Sequence, residues 1–306
     1  MRGFRWAEWR GGGLRFAVAS VLVLTLSGPP RCCGQAREGS AVPRDVYFLA
    51  LQSFYAGQYR DALKGFQSAA RSGIRSSAGR WVDSICYYSM IGVCYSHRGV
   101  LAAALQQHEA ALRMTLAHRG WMKRLHLPPG VRPAQRAAGL PWGPSTRPSV
   151  PGQFPETVLS LQGTDTDRVV RRGGVLSPPE LYSVRVMEIM RCTAVSLRRR
   201  LELLGPVGES TPLTAEVVRG LSSAPVVGNH WANTLANIQL ALAKASAGDR
   251  REAAELLGRS LVVGGQLDHP LTGLALLELG KLLLEQQELE AAGRCFYDAT
   301  FPAALF

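Results

Sequence analysis

Residues 46–69 read VYFLALQSFYAGQYRDALKGFQSA, and residues 88–111 read YSMIGVCYSHRGVLAAALQQHEAA. Placed 42 positions apart, the two stretches keep the same order of side-chain sizes. Leu49-Ala50 matches Ile91-Gly92, Gly57 matches Gly99, and Ala62-x3-Phe66-x2-Ala69 matches Ala104-x3-His108-x2-Ala111. The small residues Ala50, Gly92, Ala62 and Ala104 let two helices approach closely, and the large residues beside them fill the remaining holes. Gly57 and Gly99 stand where a first helix must stop, because glycine enters the left-handed turn at little cost. Each stretch therefore predicts a helical hairpin.

The pattern resembles the tetratricopeptide repeat (TPR), W-x2-L-G-x2-Y…A-x3-F…P, at a longer period than the usual 34 residues or so. Two further copies follow. Leu240-Ala241, Gly248 and Ala253-x3-Leu257-x2-Ser260 form a degenerate one. Leu276-x2-Leu279-Gly280-x2-Leu283 with Ala292-x3-Phe296-x2-Ala299 is clearer, its turn residue stepping 39 positions from Gly248 to Gln287. No copy has the tryptophan, His108 stands for the usual aromatic, and Lys244 stands for the usual tyrosine. The resemblance implies an all-α, TPR-like α-solenoid that binds proteins and carries out no chemistry of its own. The order of segments looks like exported bacterial TPR proteins of unassigned function.

The rest of the chain divides around these hairpins. Arginines 2, 5, 10 and 15 precede an unbroken apolar run, Phe16 to Leu26. Eleven residues suit the core of a secretory signal better than a membrane span. Residues 1–36 are read as a signal peptide cleaved after Ala36, or as an uncleaved N-terminal anchor. They hold five arginines and one glutamate, so their loss lowers the net charge from +12 by four, to +8. Residues 44–119 carry repeats 1 and 2, 120–176 a Pro/Gly-rich insert, 177–228 a helical linker, and 229–306 repeats 3 and 4. The apolar end Phe301-Pro302-Ala303-Ala304-Leu305-Phe306 suggests truncation, or a face that meets another chain.

Eight prolines between 128 and 155 predict an irregular, extended path pinned by Trp121 or Trp142. Thr157–Leu161 and Arg168–Arg171 read as short strands that could form a small β-hairpin. Ser177-Pro178-Pro179-Glu180 reads as a capping box opening a helix that runs to Leu204, and Asn229 as the cap of a later helix.

The first helices of a TPR stack line its inner surface. Here that surface is predicted from Tyr47, Leu51, Phe54, Tyr55, Ser89, Val93 and His97, continued by Ile238, Leu242, Leu277, Lys281 and Glu285. These side chains suit an apolar or aromatic anchor from a protein or peptide better than a terminal carboxylate. The competing reading makes the same residues core beneath the insert. The arginines at 168, 171, 172 and 198–200 lack the interleaved aromatics of a nucleic-acid site, read as a solvated face, and leave nucleic acid unexpected. Cys86 and Cys94 are too far apart along one helix to bridge, no CxxC or HExxH spacing occurs, and Asp165 and Asp167 lack the rest of a calcium loop. No metal, cofactor or catalytic residue is expected. The predicted function is an adaptor outside the cytoplasm, periplasmic or in the cell envelope, touching a membrane only through its N-terminus if uncleaved. The alternatives are a membrane-tethered accessory subunit of an envelope complex, and an enzyme with its site in 120–228, around Asp165 or His126.

Overall fold

The computed structural model describes residues 38–76, 79–135, 140–162 and 180–306. Ten helices occur among them. The first four are α1 (Asp45–Tyr55), α2 (Tyr59–Arg71), α3 (Ser84–His97) and α4 (Leu101–Ala117). After the insert come α5 (Val186–Leu204), α6 (Pro212–Leu221), α7 (Trp231–Ser246), α8 (Arg250–Arg259), α9 (Thr272–Glu285) and α10 (Leu289–Leu305). Four consecutive pairs pack as helical hairpins, α1 on α2, α3 on α4, α7 on α8 and α9 on α10, and α5 and α6 form a fifth, looser pair joined through the connector 205–210. The second helix of each hairpin packs on the first helix of the next: α2 on α3, α4 on α5, α6 on α7, α8 on α9. The result is a TPR-like α-solenoid.

The small residues of the repeated pattern sit where the helices touch. A Cβ on Gly65 would lie 2.8 Å from the Ala50 Cβ, one on Gly92 2.7 Å from the His108 ring, and one on Gly280 2.5 Å from the Phe296 ring. Ala62, Ala104, Ala241, Ala253 and Ala292 are all buried. Four of the tight turns share one geometry. Gly57, Gly99, Gly248 and Gln287 take φ values of +75°, +75°, +84° and +64°. The amide after each donates back to the first helix: Gln58 to Ser53, Val100 to Tyr95, Asp249 to Lys244 and Glu288 to Leu283, at 2.9–3.0 Å. This pairing closes a helix end through a left-handed residue. Gln287 is the only described non-glycine with positive φ.

The segment 177–228, read from sequence as a linker, contributes the middle helix pair, α5 and α6. Helix α5 packs on α3, α4 and α7, and α6 packs on α4 and α7. The two outer pairs of hairpins are thus parts of one continuous stack. Ser177–Pro179 lie outside the described residues, and Glu180–Val184 is a strand rather than the first turn of a capped helix. Its backbone is claimed on both sides, by Glu38–Val42 in parallel and by Val158–Gln162 antiparallel. Strand partners so remote in sequence overrule a local capping signal. The helix therefore starts at Val186. Helix α7 is capped by His230, not Asn229: the His230 ring accepts the Ala232 amide at 3.2 Å.

The strands, numbered in chain order, are β1 (Glu38–Val42), β2 (Arg75–Ser76), β3 (Gly79–Arg80), β4 (Arg132–Pro133), β5 (Val150–Gln153), β6 (Val158–Gln162), β7 (Glu180–Val184) and β8 (Leu267–Asp268). They form the sheets β1-β7-β6 and β4-β5-β8 and the two-stranded ladder β2-β3. The expected strand at Thr157–Leu161 exists as β6, whereas Arg168–Arg171 lies outside the described residues. The insert lies along the edge where second helices lead into first helices. Its Pro128 carbonyl accepts from the Trp231 indole at 2.8 Å, at the start of α7, and β5 pairs with β8, just before α9.

Two buried histidines and one buried aspartate give the fold a pH dependence. His108 is fully buried under Ser196, and burial, with Arg199, lowers its pKa to about 4. His269 lies between the Ser260 carbonyl and the Leu271 amide, and burial lowers it to about 4 as well. In an unfolded chain both return to the ordinary value of 6.5. Their contribution is complete above 6.5 and is lost as pH falls towards 4, about 3 kcal/mol for each. Asp83 acts with opposite sign. Burial raises it from 3.8 to about 6, so its protonation on acidification returns about 3 kcal/mol. Urea titrations are expected to show stability falling by a few kcal/mol between pH 7 and 4. Asp83→Asn is expected to deepen that fall, and an unchanged profile would contradict the assignment.

Candidate partner-docking surface

Helix α5 lies against residues that the sequence assigns to a ligand-binding surface. It is 19 residues long, and it reaches first helices two hairpins away in both directions. Towards the N-terminus, the Tyr47 hydroxyl on α1 donates to the Glu188 carboxylate on α5. It also lies 3.3 Å from the Cys192 sulfur. Arg191 donates to both Glu188 oxygens at 2.7 and 2.8 Å, and the Ser89 hydroxyl on α3 donates to the Cys192 carbonyl at 2.9 Å. Towards the C-terminus, Arg198 meets Glu278 on α9 at 2.8 Å, and Lys281 bridges Glu278 and Glu202 at 3.0 and 3.1 Å.

This packing corrects the predicted groove. Tyr47, Leu51, Ser89 and Val93 are buried, as are Ile238 and Leu242 further along, and have no surface to offer a partner. They are core, covered by α5 rather than by the insert. The signal for this was the face Val186-Met190-Thr193-Leu197 of α5, whose partner could not be identified from sequence. The arginines read as a solvated face are also engaged. Arg199 pairs with Glu202 at 2.8 Å. Arg200 is 3% exposed and donates to Glu109, Thr211 and Thr214. Arg168, Arg171, Arg172, Asp165 and Asp167 lie outside the described residues, and His126 is exposed.

Electrostatics follow the geometry. Burial pushes the Glu188 carboxyl up. The Arg191 guanidinium, with hydrogen bonds from Arg191, Tyr47 and Cys192, outweighs burial and holds it below the usual range. The Tyr47 hydroxyl is raised by burial and then by Cys192 and Glu188, so it remains a neutral donor. Among the described residues no group of three or more His, Cys, Asp or Glu side chains could hold a metal ion, and no helix is long and apolar enough to cross a membrane.

The other three predicted residues, Phe54, Tyr55 and His97, meet at the opposite edge, where each first helix turns into its second. His97 stacks on Tyr59 at 4.3 Å with rings 10° apart, and Phe54 packs edge-on against Tyr55 and His97. Tyr55 is 73% exposed. Val100 and Leu101 follow at the second turn, Val207 at the third, and Leu284 and Leu289 at the fifth, all exposed. The later turns are tied together by Arg250, which meets Glu209 at 3.4 Å and Glu285 at 3.0 Å. One edge of the stack thus carries the insert, and the other presents apolar turn residues. Sequence reasoning missed Tyr59 and the turn positions; their signal was apolar residues beside turn glycines, where polar ones are usual.

Removing the Glu188 charge tests the α5 junction. Glu188→Gln leaves Arg191 without its counter-ion in a largely buried site. Such a break costs about 3 kcal/mol. Tyr47→Phe, which loses one hydrogen bond, is expected to cost about 1 kcal/mol. Equal and small effects in chemical denaturation would contradict the arrangement.

No family model matches the chain, and no curated protein matches it. Similar solved structures include BtubC (BKLC) from P. vanneervenii, 15% identical, covering 85% of this chain and 79% of that one, with a TM-score of 0.37. A kinesin light chain from Podosopora anserina with nearly identical TPR-like repeats is 12% identical, covering 85% of this chain and 94% of that one, with a TM-score of 0.36. A substituted form of the same kinesin light chain is 13% identical, covering 85% and 93%, with a TM-score of 0.38.

Proposed function

We propose that this chain is a non-catalytic scaffold that docks a protein partner on the turn edge of its stack. One observation carries the reading: the predicted groove residues Tyr47, Leu51, Ser89 and Val93 are buried, while exposed apolar side chains gather at the turns, led by Tyr55 beside Phe54, Tyr59 and His97. Rigid aromatics at the centre of an interface often dominate its binding energy. Here they are fixed by two hairpins at once and need little ordering on binding. The partner suited to this edge is a protein with an apolar, weakly charged patch.

The test is quantitative affinity capture with mass spectrometry. The chain is compared with Tyr55→Ser/Leu101→Ser and with a control, Val227→Ser, altered at a residue 94% exposed and away from these turns. Loss of a hot-spot aromatic costs about 2 kcal/mol or more, about thirtyfold in affinity. The double variant is expected to lose its specific partner, and the control to keep it. Equal recovery by all three would overturn the docking surface.

We place the scaffold outside the cytoplasm, in the periplasm or envelope. The support is the sequence alone, an arginine-flanked apolar run from Phe16 to Leu26 with small residues near Ala36. The intact mass of the protein recovered from cells is expected to lack residues 1–36. Retention of that segment together with membrane association would favour the tethered accessory subunit instead.

A further inference from the structure

The arm from Leu140 to Ser149 is fastened to the last hairpin by two buried aspartates. Asp298 on α10 accepts from the Ser145 hydroxyl at 2.9 Å, the Thr146 amide at 2.8 Å and the Thr146 hydroxyl at 2.5 Å. Asp268, just before α9, accepts from Arg147 at 2.7 Å and from the Ser149 hydroxyl at 3.0 Å. Both aspartates are under 10% exposed. The Tyr297 hydroxyl donates to the Trp142 and Pro144 carbonyls at 3.3 and 3.0 Å, and the Trp142 ring lies 6.3 Å from Phe301. Gly143 takes φ +109°, and a Cβ there would lie 3.3 Å from the Tyr297 hydroxyl.

The repeat pattern shows what the arm replaces. Helix α10 repeats α2, with Ala292, Phe296 and Ala299 in the places of Ala62, Phe66 and Ala69. Tyr297 therefore corresponds to Gln67. Gln67 donates across a hairpin junction to the Tyr95 hydroxyl on α3, at 3.4 Å. Tyr297 makes the corresponding reach to the arm. The complementary half of such a junction lies on α1, where its side chains are exposed. On α1, Val46 and Leu49 are 45% and 61% exposed, whereas their counterparts on α3, Tyr88 and Ile91, lie within the stack beside α2.

We propose that the arm is a built-in end cap, standing in for the first helix of a further hairpin. By covering α10 it stops a second copy from stacking its α1 face there. Both halves of the junction that joins the chain's own hairpins are present on one molecule. Their association would be head-to-tail and open-ended, the kind of contact that grows into chains unless one half is blocked.

Hydrogen exchange and analytical ultracentrifugation of the purified chain test the cap. The unaltered protein is expected to protect the Thr146 amide and to stay monomeric across a dilution series. Asp298→Asn is expected to speed Thr146 exchange about tenfold or more. It should also produce concentration-dependent assemblies larger than dimers, with helical circular dichroism unchanged. Adding Leu49→Asp should return that variant to a monomer. The triple variant Trp142→Ser/Ser145→Ala/Thr146→Val releases the arm without touching a helix; it is read by circular dichroism and sedimentation in the same way if Asp298→Asn fails to fold. A freely exchanging Thr146 in the unaltered protein would overturn the proposal. So would a released arm on a chain that stays monomeric, or assemblies that survive Leu49→Asp.

Discussion

The fold depends on one long helix whose side chains reach beyond the helices it packs on. In a simple repeat stack each first helix touches only its neighbours, and the concave side stays open to ligands. Here α5 also reaches past its neighbours, holding Tyr47 through Glu188 at one end and Glu278 through Arg198 at the other. Buried or half-buried charges are costly unless paired and hydrogen-bonded, and these are met at both ends. Ion pairs of this kind add less to stability than to register. They fix which turn of α5 faces which hairpin, a choice that leucine–leucine contacts leave looser.

The insert plays the matching role on the outside. It leaves the stack after α4, touches the starts of α7 and α9, reaches α10, and returns to β1 before α1 through the sheet β1-β7-β6. Its prolines forbid helix over most of that course but suit an extended path with carbonyls free to accept. The Pro128 and Pro144 carbonyls are used in that way, by Trp231 and Tyr297. The chain thus carries its extra residues on the edge where second helices meet first helices, and keeps the other edge to short turns. That division leaves the aromatic cluster of the first two turns uncovered.

The hairpins were legible in the sequence because their determinants are local. Gly57, Gly99 and Gly248 announce turns that need a left-handed residue, and Gln287 could be assigned to the same place by spacing alone, despite its side chain. Gly92 against His108 and Gly280 against Phe296 are close approaches within single hairpins, readable from the order of small and large residues. What could not be read depends on residues far apart in the chain. Glu180–Val184 carries a helix-opening signal at its edge but becomes a strand through β1 and β6. The groove residues Tyr47 and Ser89 looked available because their cover, α5, begins 97 residues beyond Ser89. Phe54, Tyr55 and His97 were picked out for an inner surface and instead form one cluster at the turns.

The reach of α5 also changes what kind of object this solenoid is. Ordinary repeat arrays behave as linear chains of weakly linked units, able to fray from either end one unit at a time. Contacts that skip a unit remove that freedom. The first hairpin cannot peel away without stripping Glu188 and Arg191 of their partner, and the last cannot leave without exposing Arg198 and Glu202. Contacts of this kind couple the outer hairpins to the middle of the array and favour their melting together.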